Sequence, residues 1–84
     1  MGGEIMNIKN IIIDILSDFS NILKESISPE TELISLGIDS FRIVELIVSI
    51  EDSINITIED SKLSKENLKT VTDLINIVES TITA

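Results

Sequence analysis

Apolar side chains recur every three or four residues along the first part of the chain, from about Glu4 to Lys24. This spacing places them on one side of a helical wheel, whereas polar residues such as Asn10 and Asp14 fall on the other side. The pattern therefore predicts a first amphipathic helix. Its apolar face consists of Ile5, Ile8, Ile11, Ile12, Ile15, Leu16, Phe19, Ile22 and Leu23.

The next segment, residues 25–38, lacks this repeat and is predicted to form a long loop in which Pro29 halts helical structure. Four residues in its second half are apolar, so we expect the loop to lie against the core. They are Leu33, Ile34, Leu36 and Ile38. A loop of this length can run along a bundle and connect two roughly antiparallel helices.

A second helix is predicted from Asp39 to Ile54, with Asp39 as its N-cap, because a carboxylate there can accept hydrogen bonds from first-turn amides. One face is apolar and consists of Ile43, Leu46, Ile47, Ile50 and Ile54. A second, narrower apolar stripe consists of Phe41, Val44 and Val48, and a polar stripe between them of Arg42, Glu45, Ser49 and Asp52. A helix that is apolar on two sides is either central in its fold or uses one side for docking.

The remainder of the chain predicts a loop over 55–69, with a short helical turn within 59–68, and then a last helix over about Thr72 to Thr81. Thr70 and Asp73 have the spacing of a capping box at the start of that helix. We therefore predict an all-α fold, a small antiparallel bundle of three main helices plus one short helix. Residues 1–84 are expected to form one domain, with residues 1–4 disordered.

Composition narrows the function. The 84 residues include no Cys and no His, and the net charge is −9. The usual general base and thiolate nucleophile are missing, so an enzyme is not expected, and neither catalytic residues nor a metal site are predicted. The acidic charge argues against nucleic acid as a partner and favours basic protein surfaces. No stretch is long and apolar enough for a membrane span, and we expect a cytoplasmic monomer.

One segment is specific enough to suggest a family. It reads Leu36-Gly37-Ile38-Asp39-Ser40, followed by Phe41, Arg42, Ile43, Val44, Glu45 and Leu46. This segment resembles the attachment site of acyl and peptidyl carrier proteins, and the run from Thr70 to Leu74 resembles the start of their last helix. The resemblance implies that Ser40 carries 4′-phosphopantetheine, donated from coenzyme A, with Asp39 beside it as cap. The positive end of the helix dipole would suit the phosphate.

The resemblance also implies partners and a role. A phosphopantetheinyl transferase would modify Ser40, and loading ligases and downstream enzymes would dock on the helix that follows. The docking residues would be Phe41, Arg42, Val44, Glu45, Val48 and Asp52. The expected function is a stand-alone carrier of thioester-linked acyl or aminoacyl groups in a dedicated pathway of fatty-acid, polyketide or nonribosomal-peptide type.

Two alternatives stay open, a D-alanyl or other aminoacyl carrier and a helical interaction module without a cofactor. Arg42 departs from fatty-acid carriers, which usually have an acidic residue there, and the sequence offers Glu45 as its partner at i, i+3. We expect Arg42 to affect the choice of partner enzyme more than stability.

Overall fold

The structure, a computed structural model, describes residues 7–59, 61, 63 and 67–83. Three α-helices dominate it: α1 (Ile8–Ser20), α2 (Ser40–Ile54) and α3 (Val71–Thr83). Two short 3₁₀ helices, Lys24–Ser26 and Leu33–Leu36, interrupt the connection between α1 and α2. Within the described ranges there is no strand, only an isolated antiparallel bridge between Glu32 and Thr70. The all-α bundle predicted from the sequence is confirmed.

Helix α1 is shorter than the predicted span from Glu4 to Lys24, because asparagines define both of its ends. The Asn7 side chain accepts a hydrogen bond from the Asn10 amide at 3.3 Å and caps the first turn. Asn21 adopts a left-handed conformation with φ of 66° and ends the helix. Lys24 therefore lies in the 3₁₀ helix beyond α1. The predicted disorder of residues 1–4 and half of the segment 59–68, in which a short turn is predicted, lie outside the described residues.

The core is entirely aliphatic in the described part of the chain, and all three helices contribute to it. Its fully buried members include Ile12 and Leu16 of α1, Leu46 and Ile50 of α2, and Leu74 of α3. No polar or charged side chain among the described residues is buried. Hydrophobic packing is therefore the main interaction that fixes how the helices meet. No helix within the described ranges is long and apolar enough to cross a membrane.

Hydrogen bonds join the long loop to the start of α3. The Leu33 amide donates to the Lys69 carbonyl at 2.9 Å, and the Val71 amide donates to the Thr31 carbonyl at 3.0 Å. The Thr72 hydroxyl also donates to the carbonyl of Pro29 at 2.8 Å. Since these bonds lie on either side of the Glu32–Thr70 bridge, the loop is fixed shortly before it reaches Ser40.

The predicted capping box at the start of α3 is present in both directions. The Asp73 amide donates to the Thr70 hydroxyl at 3.2 Å, and Asp73 Oδ2 accepts from the Thr70 and Lys69 amides at 3.1 and 2.9 Å. The amides of Lys69 and Thr70 favour the charged carboxylate and lower the pKa of Asp73 below its ordinary value of 3.8. The ionised form of Asp73 therefore stabilises the folded state more than the protonated form does.

This cap gives a pH-dependent stability prediction. Asp73→Ala should cost about 1 kcal/mol at neutral pH, which in a domain of this size lowers the melting temperature by roughly 4–8 °C. Because the pKa of Asp73 is depressed in the folded state, its contribution is complete above the unfolded value. It is lost as pH falls through the folded value.

Thermal melts between neutral and strongly acidic pH test this. The difference between wild type and Asp73→Ala should shrink on acidification. The matched control Glu59→Ala removes an exposed carboxylate outside the helices and should leave the neutral-pH melting temperature nearly unchanged. An Asp73→Ala effect equal to that of the control would contradict the capping role.

Candidate functional site

A tight turn directs the chain into α2. The 3₁₀ helix Leu33–Leu36 is anchored by its two buried end residues and is followed by Gly37, whose φ is 78°. The Gly37 amide donates to the Ile34 carbonyl at 3.0 Å, and the Ile38 amide donates to the Leu33 carbonyl at 3.1 Å. This pair of bonds is the Schellman pattern, and the residues at its two ends, Leu33 and Ile38, are both buried in the core. Glycine suits position 37 because of this left-handed conformation, since an added Cβ would meet nothing within 4 Å.

Asp39 caps α2 as predicted. Its Oδ1 accepts hydrogen bonds from the amides of Phe41 and Arg42, at 3.1 and 3.0 Å. The helix then begins at Ser40, which is exposed and occupies the first helical position. The cap and the buried Ile38 thus place the Ser40 hydroxyl on the surface, at the positive end of α2.

The predicted second stripe of α2 is on the surface. The exposed fractions of Phe41, Val44 and Val48 are 86%, 61% and 49%. The opposite face is buried through Leu46, Ile47 and Ile50, with Ile43 and Ile54 packed against the core at partial exposure. Of the polar stripe, Arg42, Glu45 and Asp52 are exposed, and Ser49 is half-buried.

One apolar residue of this surface was not predicted from the sequence. Ile34, expected to lie against the core with the rest of the loop, is 63% exposed. The reason is the 3₁₀ helix, in which Leu33 and Leu36 at i and i+3 face the same way and leave Ile34 outside. Recognising a 3₁₀ turn before Gly37 would have identified it.

A groove with a cavity volume of about 770 Å³ opens beside Ser40. Ser40, Val44, Val48 and Glu51 mark its course along α2, which corresponds to about 16 Å at 1.5 Å per residue. The rest of the lining is mostly apolar and comprises Leu33, Ile34, Ile38, Ile43, Ile47, Ile58, Leu63 and Leu68, with Glu32, Asp39 and Lys69 adding charged groups. Its size is within the range of small-molecule sites.

Glu51 fixes the segment that follows α2 and forms part of the groove. Its Oε2 accepts a hydrogen bond from the Ile58 amide at 2.8 Å, in partly buried surroundings. Ile58 itself is buried. Since both residues line the groove, this bond holds the two walls together at the end away from Ser40.

Arg42 does not make the contact expected from its spacing with Glu45. Its guanidinium lies over the Phe19 ring, with Cζ 4.5 Å from the ring centroid, and Nη2 donates to the Phe19 carbonyl at 3.4 Å. Phe19 is in the last turn of α1, where free carbonyls favour a cation, and an exposed cation–π contact contributes about 0.5–1 kcal/mol. The contact places the end of α1 beside the start of α2, as in an antiparallel pair.

The chemistry that this site offers depends on the Ser40 hydroxyl and its surroundings. No group of acidic side chains in the described ranges is arranged to hold a metal. What the site provides is an accessible hydroxyl at a helix N-terminus, with an apolar groove beginning next to it. A phosphate ester on Ser40 would lie at the favourable end of the α2 dipole, next to the groove.

Comparison with known proteins agrees with this geometry. The family model described as a phosphopantetheine attachment site matches residues 10–78. The acyl carrier protein of Exiguobacterium sibiricum is 36% identical over 76 residues, covering 81% of this chain and 94% of that protein. The acyl carrier protein homolog of Ureaplasma parvum is 39% identical over 77 residues, covering 92% and 96%.

Solved structures extend the comparison to the fold. A chain in the crystal structure of Bradyrhizobium japonicum glycine:[carrier protein] ligase with its cognate carrier protein matches with a TM-score of 0.74 and 26% identity. The match covers 87% of this chain and 96% of that chain. The solution structure of a holo acyl carrier protein from Nitrosomonas europaea matches with a TM-score of 0.79 and 22% identity, over 94% of this chain and all of that one, which establishes the fold.

The exposure of α2 gives a stability prediction. Val48→Glu should leave the helical circular dichroism and melting temperature nearly unchanged, because Val48 is half-exposed and the carboxylate can reach water. Leu46→Glu, two residues earlier on the same helix, should cost ~3 kcal/mol or more, since it buries an unpaired carboxylate. Equal losses of melting temperature in the two variants would place Val48 in the core.

Proposed function

The chain belongs to the acyl carrier protein family, and on that premise we propose that Ser40 is the residue that receives its 4′-phosphopantetheine. The family model that matches the chain is that of the phosphopantetheine attachment site, so the prosthetic group follows from membership. Proteins of this family are carriers and not catalysts.

The observation that carries the proposal is the position of Ser40. It is exposed, it is the first residue of α2, and it lies at the mouth of the groove. A serine in that position can be reached by a transferase, and its ester is stabilised by the helix dipole. Ser35 offers a useful comparison, since it is also exposed but lies within the 3₁₀ helix and does not line the groove.

The prosthetic group supplies a thiol that the chain lacks, on which acyl groups are held as thioesters. The protein's own residues orient it. Asp39 keeps the first turn of α2 closed by accepting from two amides, and this fixes the direction of the Ser40 Cα–Cβ bond. We propose that this capping is how Asp39 contributes to the modification of Ser40.

We propose further that partner enzymes dock on the exposed side of α2. Phe41, Val44 and Val48 would supply apolar contacts, and Arg42, Glu45 and Asp52 would surround them with charge. Exposed apolar side chains grouped beside a reactive position are a recurring feature of interaction surfaces. Val48→Glu, which should preserve the fold, should then slow loading of the carrier by an enzyme that docks there.

For the cargo, we propose acyl or aminoacyl groups of a dedicated pathway, of specialised fatty-acid, polyketide or peptide type. The similarity to a chain crystallised with a glycine:[carrier protein] ligase supports the aminoacyl possibility. The similarity to acyl carrier proteins supports the acyl one. The apolar groove favours an aliphatic acyl chain over glycine, because only the former gains from apolar burial.

Covalent modification tests the central part of the proposal. Incubated with a promiscuous phosphopantetheinyl transferase and coenzyme A, the wild-type protein should gain the mass of one phosphopantetheine. Ser40→Ala should gain none, and Ser35→Ala should behave like wild type. Intact-mass measurement reports all three, and modification of Ser40→Ala would assign the group to another residue.

The same modified protein then distinguishes the cargo classes. One portion is incubated with glycine, ATP and the Bradyrhizobium ligase. Another portion is incubated with a fatty acid, ATP and an acyl-loading ligase. The mass added identifies the accepted class. A wild-type protein that stays unmodified, while an established carrier is modified in parallel, would favour a cofactor-free interaction module.

A further inference from the structure

Arg42 interrupts an acidic surface around Ser40. The exposed charged residues nearest to it in the sequence are Asp39 and Glu45, which are both acidic. Asp52, also exposed, lies further along the same helix. A cation in the first turn of a helix is disfavoured by the dipole, so α2 alone gives no reason for its presence. The compensation comes from α1, through the ring and carbonyl of Phe19.

The contacts of Arg42 restrain the position of its charge without neutralising it. Lys24 is paired with Asp14 at 2.6 Å, so that its charge is largely cancelled. Arg42, in contrast, contacts an uncharged ring and a carbonyl oxygen, and it remains exposed. The surface beside Ser40 therefore presents a positive charge at a defined place within a negative field.

A charge held in place discriminates between partners more sharply than a mobile one. A free arginine can turn away from an unfavourable neighbour, and it loses rotamer freedom when it binds a favourable one. Attachment to Phe19 reduces both effects. Charges at the edge of an interface act mainly on partner choice and association rate, and repulsion of the wrong partner is part of that choice.

We propose that Arg42, positioned by Phe19, is a specificity-determining residue of this carrier. It selects enzymes that present a carboxylate opposite it, and it disfavours enzymes whose carrier-binding patch is continuously basic. This inference rests on the proposed function, because it requires phosphopantetheine on Ser40 and enzymes that bind at the start of α2. It adds the chemistry of the partner surface and assigns Phe19 as the positioning residue.

The test measures malonyl transfer by a bacterial fatty-acid malonyl transferase that is chosen for its basic carrier-binding patch. Four carriers that bear phosphopantetheine are compared, namely wild type, Arg42→Asp, Arg42→Gln and Lys9→Asp. In the reaction the malonyl group is transferred from the sulfur of coenzyme A to the sulfur of the phosphopantetheine on Ser40. Coenzyme A is released as the free thiol. Arg42→Asp should raise kcat/KM by about three- to tenfold over wild type, the range expected when an exposed repulsion becomes an attraction. Arg42→Gln should lie between them.

Lys9→Asp is the matched control, since it changes the net charge by the same amount as Arg42→Asp. Lys9 precedes Phe19 by ten residues of α1, about 15 Å along the helix, which exceeds the screening length of about 8 Å at 0.15 M salt. At that ionic strength Lys9→Asp should leave kcat/KM at the wild-type value. Equal increases in Lys9→Asp and Arg42→Asp would overturn the proposal in favour of a general charge effect.

A second arm tests the preference for a carboxylate and the role of Phe19. Basic residues of the transferase patch are replaced by Glu, one at a time. At least one of these enzyme variants should have a higher kcat/KM with wild-type carrier than with Arg42→Asp, which is the reverse of the order expected with the wild-type enzyme. Phe19→Leu keeps the charge of Arg42 and should weaken that preference. Absence of a reversal in every transferase variant would overturn the selection of a carboxylate, and an unchanged preference in Phe19→Leu would overturn the positioning role.

Failure of this inference is distinguishable from failure of the proposed function. Each carrier is first shown by intact mass to bear one phosphopantetheine and by circular dichroism to be folded. A chain that is never modified at Ser40 contradicts the proposed function. Modified carriers with identical kinetics, whichever residue occupies position 42, contradict only the inference about Arg42.

Discussion

The N-cap of α2 is the interaction on which the candidate site depends. One carboxylate oxygen of Asp39 accepts from two successive amides, and the residue between Asp39 and those amides is Ser40. The two residues before Asp39 position this cap. The left-handed Gly37 and the buried Ile38 set the angle at which the chain enters the helix. The Ser40 Cα–Cβ bond thus acquires a defined direction that points the side chain to the surface.

Aliphatic packing supplies the rigidity that a small domain obtains elsewhere from disulfides or metals. The chain contains no cysteine and no histidine, and no polar side chain is buried in the described part. The polar bonds that set the geometry therefore lie at the ends of elements, where backbone groups would otherwise be unpaired. The bonds from Pro29, Thr31 and Leu33 to the segment around α3 hold the long loop, and the Glu51–Ile58 bond holds the groove.

Local and periodic features of this structure were predictable from the sequence, and long-range ones were not. The three helices, the Asp39 cap and the Thr70–Asp73 capping box follow from helical spacing and side-chain chemistry within a few residues. The end of α1 at Ser20 was missed because Ile22 and Leu23 continue the apolar spacing beyond Asn21, although asparagine is a common C-cap residue. The exposure of Ile34 was missed because a 3₁₀ turn alters the repeat. The contact of Arg42 with Phe19 joins residues 23 positions apart, and only tertiary packing brings them together.

Comparison of Asp39→Asn with Asp39→Ala tests the capping account most directly. Asparagine caps a helix about as well as aspartate, whereas alanine does not. Hydrogen exchange of the Phe41 and Arg42 amides should therefore stay slow in Asp39→Asn and become faster in Asp39→Ala. The rate of phosphopantetheine transfer to Ser40, measured on the same samples, should follow that protection and fall only in Asp39→Ala. A transfer rate that falls equally in both variants, with the two amides still protected in Asp39→Asn, would contradict the account and assign Asp39 a direct contact with the transferase.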